Sequence, residues 1–143
     1  MEDYECTSVD GVQSEESAVR HTAGVVRLDP TVTDPDKYKV IFENDRVRVL
    51  DCTDAPGDRT NVHQHPDSVM IALSSYRRRL VSGEARRDVE LQQGIATWLP
   101  AQQHYGENIG DTSTHAIFIE LKETTGERRS GTVLGPELGP KAR

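Results

Sequence analysis

The central part of the chain is a succession of short segments in which apolar and polar residues alternate. Residues 46–50, 88–91 and 114–121 each alternate with a period of two, which is typical of strands that bury one face. Turn residues such as Gly83 and Gly94 separate the segments, and no segment there keeps helical periodicity over three turns. The pattern predicts an all-β domain, either a small barrel or a sandwich of antiparallel sheets.

The two ends of the chain differ from this central part in composition. Residues 1–27 are acidic and rich in serine, and residues 125–143 are rich in glycine and proline. Segments with so few apolar groups bury too little surface to offset the entropy lost on ordering. We therefore predict a flexible N-terminal extension over 1–27, one domain over 28–124 and a partly mobile tail over 125–143. Within the ends, residues 15–20 favour a short helix, and Val133 and Leu134 favour contact with the domain.

Charge and cysteine content exclude several classes of protein. Lys and Arg total 17 and Asp and Glu total 24, a formal net charge of −7, which argues against a general nucleic-acid binder. No apolar run approaches the ~20 residues that span a bilayer, and the acidic first residues are not typical of a secretory signal. Cys6 and Cys52 form no CxxC motif and are poor candidates for nucleophilic catalysis. We expect a cytoplasmic protein that binds neither nucleic acid nor membranes.

Three histidines have the spacing of a metal site. His63 and His65 are two residues apart, so on a strand both side chains point to the same face. His104 lies on or beside a different strand, which closure of a barrel would bring next to the first. Imidazole nitrogens bind divalent ions at ~2.0–2.1 Å. His21 and His115 stand alone and are interpreted as surface residues.

These histidines lie in motifs that resemble those of the cupin superfamily. The first cupin motif has a glycine, five residues and then His-x-His. The second has a glycine, five residues, Pro-x-Gly, two residues and a histidine, with an asparagine four positions after that histidine. The resemblance spans roughly residues 39–123 and implies a small β-barrel, the double-stranded β-helix of two packed antiparallel sheets, with a divalent metal inside. The matching residues are Gly57, His63, His65, Gly94, Pro100, His104 and Asn108.

The sequence departs from both cupin motifs, and the glycine that ends the first one is absent near Tyr76 and Arg77. The family's glutamate ligand would fall at Val69 or Met70, and neither side chain is a carboxylate. Gln102 stands where the second motif has a glycine, and His104 comes one residue early. The resemblance therefore implies a three-histidine site like that of the small β-diketone-cleaving dioxygenases, with the ligands His63, His65 and His104.

A three-histidine site favours a particular chemistry. Neutral imidazoles leave the double positive charge of the ion uncompensated, so its free positions favour a chelating oxygen ligand such as an enolate. We predict an Fe(II) dioxygenase that acts on a small enolisable carbonyl or carboxylate together with O₂. Imidazole ligands also accept Zn, Ni, Mn or Cu. Two alternatives stay open: a Lewis-acid metal enzyme (isomerase, lyase or hydrolase) and a cupin that binds a small molecule without catalysis.

Further side chains are expected to line the substrate pocket, although none is assigned a catalytic role. Met70 takes the position of the missing glutamate, and Trp98 precedes the motif proline by two residues, with ordinary core packing as its alternative. Phe118 and Glu120 share one face of their strand. The sequence leaves open whether this face or the opposite one points inward. The predicted pocket residues are Met70, Arg79, Trp98, Phe118 and Glu120.

Arg79 is included among the predicted pocket residues because it belongs to a run of three arginines, residues 77–79. Alternation puts Arg77 and Arg79 on one face of a strand and Arg78 on the other. Arginines on a solvated face would form ion pairs with acidic residues such as Asp88. An arginine on the inner face would pair with an anionic substrate. Which arginine points inward stays open. The exposed edges of the barrel, together with the family resemblance, favour a homodimer.

Overall fold

The computed structural model describes residues 28–122 and 133–137. Within these ranges no helix is long and apolar enough to cross a membrane. The predicted extension over 1–27, the short helix within it and most of the predicted tail lie outside the described residues. The described elements are α1 (Pro30–Thr33), β1 (Tyr38–Glu43), β2 (Val47–Asp54), β3 (His63–His65), β4 (Ser68–Ala72), β5 (Tyr76–Ser82), β6 (Ala85–Leu91), β7 (Ala96–Leu99), β8 (Gln102–Asn108) and β9 (Thr114–Leu121).

The strands form two antiparallel sheets. The five-stranded sheet has the order β1-β2-β9-β4-β7, and the four-stranded sheet has the order β3-β8-β5-β6. Strands that are distant in sequence pair directly, as β9 does with both β2 and β4. This architecture confirms the predicted all-β class with two antiparallel sheets.

Alternating burial along the strands places one face of each sheet toward the core. In β9 the residues Thr114, Ala116, Phe118 and Glu120 are buried, and those between them are half-buried. Phe118 lies opposite Leu50 of β2 and Met70 of β4 in the register of the sheet. The buried apolar core is Tyr38, Leu50, Cys52, Met70, Ala72, Tyr76, Leu91, Leu99, Ala116 and Phe118.

Two glycines of the matched motifs form turns between strands. Gly57, between β2 and β3, has a φ of 89°, and Gly94, between β6 and β7, has a φ of 93°. Residues with a Cβ are strained at such angles, whereas glycine is not. The backbone therefore explains why glycine occupies both motif positions.

In β5 the arginine that faces the core is Arg78. Its side chain is buried, and Nη1 donates to Asp54 Oδ2 at 2.6 Å and to Thr114 Oγ1 at 3.1 Å. Asn108 Nδ2 donates to the other Asp54 oxygen at 3.2 Å. We call these four residues, Arg78, Asp54, Asn108 and Thr114, the Arg78 network.

The placement of Arg79 in the pocket is corrected by the structure. Arg79 lies on the outer face of β5, opposite Asp88 of β6, and its Nε donates to Asp88 Oδ1 at 2.8 Å. The phase of the alternation is set by Tyr76, Arg78 and Leu80, which are buried on the other face.

Candidate metal centre

Two neighbouring strands hold the three predicted ligands. His63 and His65 of β3 are each 1% exposed, and His104 of β8 is 5% exposed. Because β3 and β8 pair antiparallel, His63 lies directly opposite His104. The fold thus places all three rings on the inner face of the four-stranded sheet.

The three rings converge on one point in the interior. Their centroids are 4.7 Å apart for His63 and His65, 5.0 Å for His63 and His104, and 5.2 Å for His65 and His104. One nitrogen atom from each ring lies within 4.8 Å of the other two. Among the described residues, no other group of His, Cys, Asp or Glu side chains has this arrangement. The donor set suits a divalent metal ion that accepts nitrogen ligands.

Hydrogen bonds set the tautomers of two of the rings. His63 Nδ1 is 2.8 Å from the Asn61 carbonyl oxygen, and His104 Nδ1 is 2.7 Å from Gln102 Oε1. Oxygens of this kind only accept, so each ring donates its Nδ1 proton and carries its lone pair on Nε2. His63 Nε2 is buried and has no hydrogen-bond partner. The lone pair of His63 is therefore free for an ion.

The side-chain amide of Gln102 is itself oriented by its surroundings. Its Nε2 donates to the Pro100 and Val133 carbonyl oxygens, both at 3.0 Å. Its Oε1 accepts from the Gly135 backbone N–H at 2.7 Å. A flipped amide would lose all three bonds, so the oxygen must face His104. The residue that departs from the cupin motif is thus the acceptor for a predicted ligand.

His65 has a different environment from the other two rings. Both of its nitrogens are buried without a partner, and its Nδ1 lies 3.6 Å from Glu120 Oε2, which also lacks one. The Phe118 ring stacks on it, with centroids 4.9 Å apart and planes at 7°. Arg48 binds Glu120 Oε1 at 2.9 Å and Asp29 Oδ2 at 2.9 Å. Two predicted pocket residues, Phe118 and Glu120, therefore lie against His65.

Burial keeps the imidazoles of His63 and His104 neutral. It lowers the pKa of His63 to about 3, with the neighbouring His65 acting in the same direction. Burial also holds the pKa of His104 well below its ordinary value. The Asp34 carboxylate is 3.9 Å from His63 Nδ1, but a neutral ring forms no ion pair with it. Neutral imidazole is the form that binds a metal.

An enclosed cavity adjoins the centre. It has a volume of about 30 Å³ and is lined by His63 and His104 together with mostly apolar side chains. Met70 and Phe118, two of the predicted pocket residues, are among them, and so is Pro136 of the C-terminal part. Since one water needs roughly 10–15 Å³ of such volume, the cavity has room for about two waters.

A second, open cavity lies behind His65. It has a volume of about 480 Å³, and its lining includes His65, Glu120, Arg48, Asp29 and Lys122. His65 lines this polar cleft, whereas His63 and His104 line the apolar cavity. The histidines therefore form the wall between a polar cleft and an apolar interior.

Trp98 occupies neither cavity, which corrects its predicted place in the pocket. It lies opposite Val69 in the register of β4 and β7, on the outer face of the sheet. Leu99, the next residue, is the buried one on the inner face. The backbone of Trp98 instead accepts a hydrogen bond from the Glu137 N–H at 2.8 Å.

Arg48 and Gln102 are two parts of the centre that were not predicted from the sequence. Gln102 precedes His104 by two residues on a strand, so the two share a face, and this spacing is a signal that could have identified it. Arg48 has no such signal, because its contact with Glu120 links β2 to β9 across 72 residues.

The fold is similar to that of solved structures. A cupin domain from Bordetella pertussis Tohama I is 28% identical, with 59% of this chain and 91% of that chain covered at a TM-score of 0.56. A Cupin 2 conserved barrel domain protein from Salinispora arenicola is 25% identical over 57% of this chain and 71% of that one, at a TM-score of 0.44. A cupin-like protein from Thermotoga maritima is 25% identical over 61% of this chain and 67% of that chain, at a TM-score of 0.46. No protein-family model matches the chain, and no curated protein does.

Proposed function

This chain is a member of the cupin superfamily, and we propose that it is a metal-dependent dioxygenase whose ion is held by His63, His65 and His104. The observation that carries the proposal is the convergence of three buried rings, with unpartnered nitrogens on His63 and His65. A buried polar atom without a partner costs about 1–3 kcal/mol. Such atoms persist in a fold when a bound group satisfies them.

Fe(II) is the ion that we favour. It accepts imidazole nitrogens, and when bound it supplies a redox-active Lewis acid for an enolisable substrate and O₂. Asn61 and Gln102 keep the His63 and His104 lone pairs directed toward the ion. Met70 and Phe118 give its interior side an apolar lining.

The charge of the enclosed cavity favours a neutral substrate. Arg78 is the one cation among the described residues that line it. Its guanidinium is paired with Asp54 at 2.6 Å, so the pair leaves no free positive charge for a carboxylate. We therefore propose a small β-dicarbonyl or a similar neutral, enolisable carbonyl compound as substrate, rather than a carboxylate, and its binding requires the cavity to widen beyond about 30 Å³.

Two other functions have support from particular observations. The neutral donor set also suits Zn(II), Ni(II), Mn(II) or Cu(II), which would give a Lewis-acid enzyme such as an isomerase, lyase or hydrolase. The open cleft of about 480 Å³ beside His65 has room for a small molecule, which supports a protein that binds one without transforming it.

The test starts with the metal content of protein purified without added metal. We expect near-stoichiometric iron, which His104→Ala should abolish. Protein loaded anaerobically with Fe(II) should then consume O₂ with pentane-2,4-dione or a related dicarbonyl. Turnover with Zn(II) or Ni(II) and no O₂ uptake would replace this proposal by the Lewis-acid one. Thermal stabilisation by the compounds without any product would support the binding protein instead.

We also propose that the chain forms a homodimer in the cytoplasm. The edge strand β1 exposes Val40, Ile41 and Phe42 to 44%, 57% and 52%, with a register shift at this point. An apolar edge with unpaired backbone groups favours pairing with a second copy. Light scattering should give a dimer mass for the full chain and a monomer mass for Ile41→Lys. A monomer mass for both would contradict the dimer.

A further inference from the structure

A short C-terminal segment closes the enclosed cavity. We call residues 133–137 the strap. Pro136 lines the cavity beside His63 and His104, and Gly135 and Pro136 are both buried. The strap is thus the part of the wall that comes from outside the two sheets.

The strap is attached to three strands by its backbone. Arg87 Nη1 of β6 donates to the Leu134 and Pro136 carbonyl oxygens at 2.7 and 3.0 Å. The Glu137 N–H donates to the Trp98 carbonyl oxygen of β7 at 2.8 Å. The third attachment is Gln102 of β8. None of these bonds depends on the identity of a strap side chain.

Gln102 joins the strap to the metal centre through one amide group. Its Oε1 accepts hydrogen bonds from the Nδ1–H of His104 and from the Gly135 N–H. Its Nε2 donates to the Val133 carbonyl oxygen. Apart from His104, three bonds orient this amide, and the strap supplies two of them. The bond to Pro100 is the one that remains when the strap is displaced.

The orientation of the amide decides whether His104 can bind an ion. With the oxygen toward Nδ1, the ring carries its proton on Nδ1 and its lone pair on Nε2. With the NH₂ group toward Nδ1, the ring would have to accept there and carry its proton on Nε2, where no metal could bind. The strap bonds disfavour the second arrangement because it would bring NH₂ against the Gly135 N–H and oxygen against the Val133 carbonyl.

We propose that Gln102 is a positioning residue through which the strap stabilises the metal-binding tautomer of His104. Strap closure and metal binding then stabilise each other, because a coupling between two sites acts equally in both directions. The inference rests on the metal centre of the proposed function and is independent of the reaction. Zn(II) is therefore a suitable probe, since it requires no turnover.

The main variant is Gln102→Leu, which removes the acceptor and both strap bonds. We expect its Kd for Zn(II) to rise about 10- to 100-fold, the usual effect of losing a partner of a ligating histidine. In the unaltered chain, Zn(II) should slow hydrogen exchange at the Gly135 amide, and in the variant it should not. Nitrogen NMR of His104 should show the Nδ1–H tautomer in the unaltered chain and a mixture in Gln102→Leu. Restoring the acceptor with Gln102→Glu should recover part of the affinity.

Gln103→Leu is the matched control, because Gln103 is the next residue of β8 and is exposed. It should bind Zn(II) as the unaltered chain does. Arg87→Ala covers the case in which Gln102→Leu fails to fold, since it releases the strap at β6 without touching His104. It should speed exchange at Gly135 and weaken Zn(II) binding by a smaller factor.

Two results would overturn the inference. One is a Zn(II) affinity that stays unchanged in Gln102→Leu, or in Arg87→Ala despite faster exchange of the strap. The other is strap exchange that Zn(II) does not alter in the unaltered chain. If the unaltered chain binds no metal at all, the metal centre of the proposed function falls together with this inference.

Discussion

The barrel interior contains two buried polar clusters that differ in how their polar atoms are satisfied. One is the histidine cluster of His63, His65 and His104, and the other is the Arg78 network. Within the described residues, three ring nitrogens of the histidine cluster are buried without a hydrogen-bond partner, whereas no side-chain atom of the Arg78 network is. Both clusters are at most 8% exposed. Equal burial with unequal hydrogen bonding indicates that the network stabilises the fold, whereas the histidine nitrogens are arranged so that an ion could bind them.

The largest expected effect separates the two clusters by their response to metal. His63→Ala should abolish stoichiometric metal binding, because it removes one of three ligands. Without metal, the same variant should lose less stability than a break in the Arg78 network, since it removes one hydrogen bond, to the Asn61 carbonyl oxygen, and leaves no buried charge unpaired. Elemental analysis and urea unfolding of the metal-free protein measure the two effects. Full metal content in His63→Ala would contradict the proposed ligand set.

The converse change is Asp54→Ala in the Arg78 network. It leaves the Arg78 guanidinium buried without its carboxylate, a situation that costs about 3–5 kcal/mol of unfolding free energy. Urea unfolding at neutral pH would measure the loss. Metal content should persist under conditions where the variant is folded.

Two further variants sharpen the Asp54 result. Asp54→Asn keeps the hydrogen-bonding shape and should lose less stability, which provides a folded variant if the alanine does not fold. Asp88→Ala removes the partner of the outward-facing Arg79, and its unfolding midpoint should stay close to that of the unaltered chain. If Asp54→Ala and Asp88→Ala lost equal unfolding free energy, the buried Arg78–Asp54 pair would stabilise the fold no more than the exposed Arg79–Asp88 pair.

A smaller effect is expected at the boundary of the histidine cluster. In Glu120→Gln the negative charge that faces His65 Nδ1 at 3.6 Å is lost, and with it part of the basicity of that ligand. We expect metal affinity to fall about tenfold, as measured by competition with a chelator.

Asp29→Asn is the control for Glu120→Gln. It removes the other carboxylate that binds Arg48 and leaves Glu120 in place. Metal affinity should therefore change little. An equal fall in both variants would mean that Arg48, rather than the carboxylate beside His65, controls the affinity.

The smallest effect concerns Cys52, which lies on β2 next to both clusters. Burial raises the pKa of its thiol to about 12, so the folded thiol keeps its proton where an unfolded one, with a pKa of about 8.5, has lost it. Stability should therefore fall as the pH rises from about 8.5 toward 12. At pH 8, alkylation of Cys52 in a Cys6→Ser background should be no faster than unfolding. Asp54→Ala should speed it, and rapid alkylation of the native protein would contradict the burial.

Much of the candidate site could be predicted from the sequence because it depends on spacing. The period of two in His63 and His65 puts them on one face of a strand, and the second motif adds His104 on its neighbour. Met70 was proposed from its position in the motif and Phe118 from the face that it shares with Glu120, and both line the cavity beside the rings. The pairing of Arg48 with Glu120 and the contact of residues 133–137 with Gln102 were not predictable, since each joins segments that are far apart in the chain.

The sequence by itself determined the β class, the turns at Gly57 and Gly94 and the sharing of faces within each strand. Only the tertiary structure decided which face of each strand points inward, and this is where Arg79 and Trp98 were misplaced. Alternation is a property of one strand, whereas its phase relative to the core is set by the sheet that packs against it. The same reason applies to Gln102. From the sequence it is only a departure from the motif glycine, and the tertiary structure shows that its amide links His104 to Val133 and Gly135 of the strap.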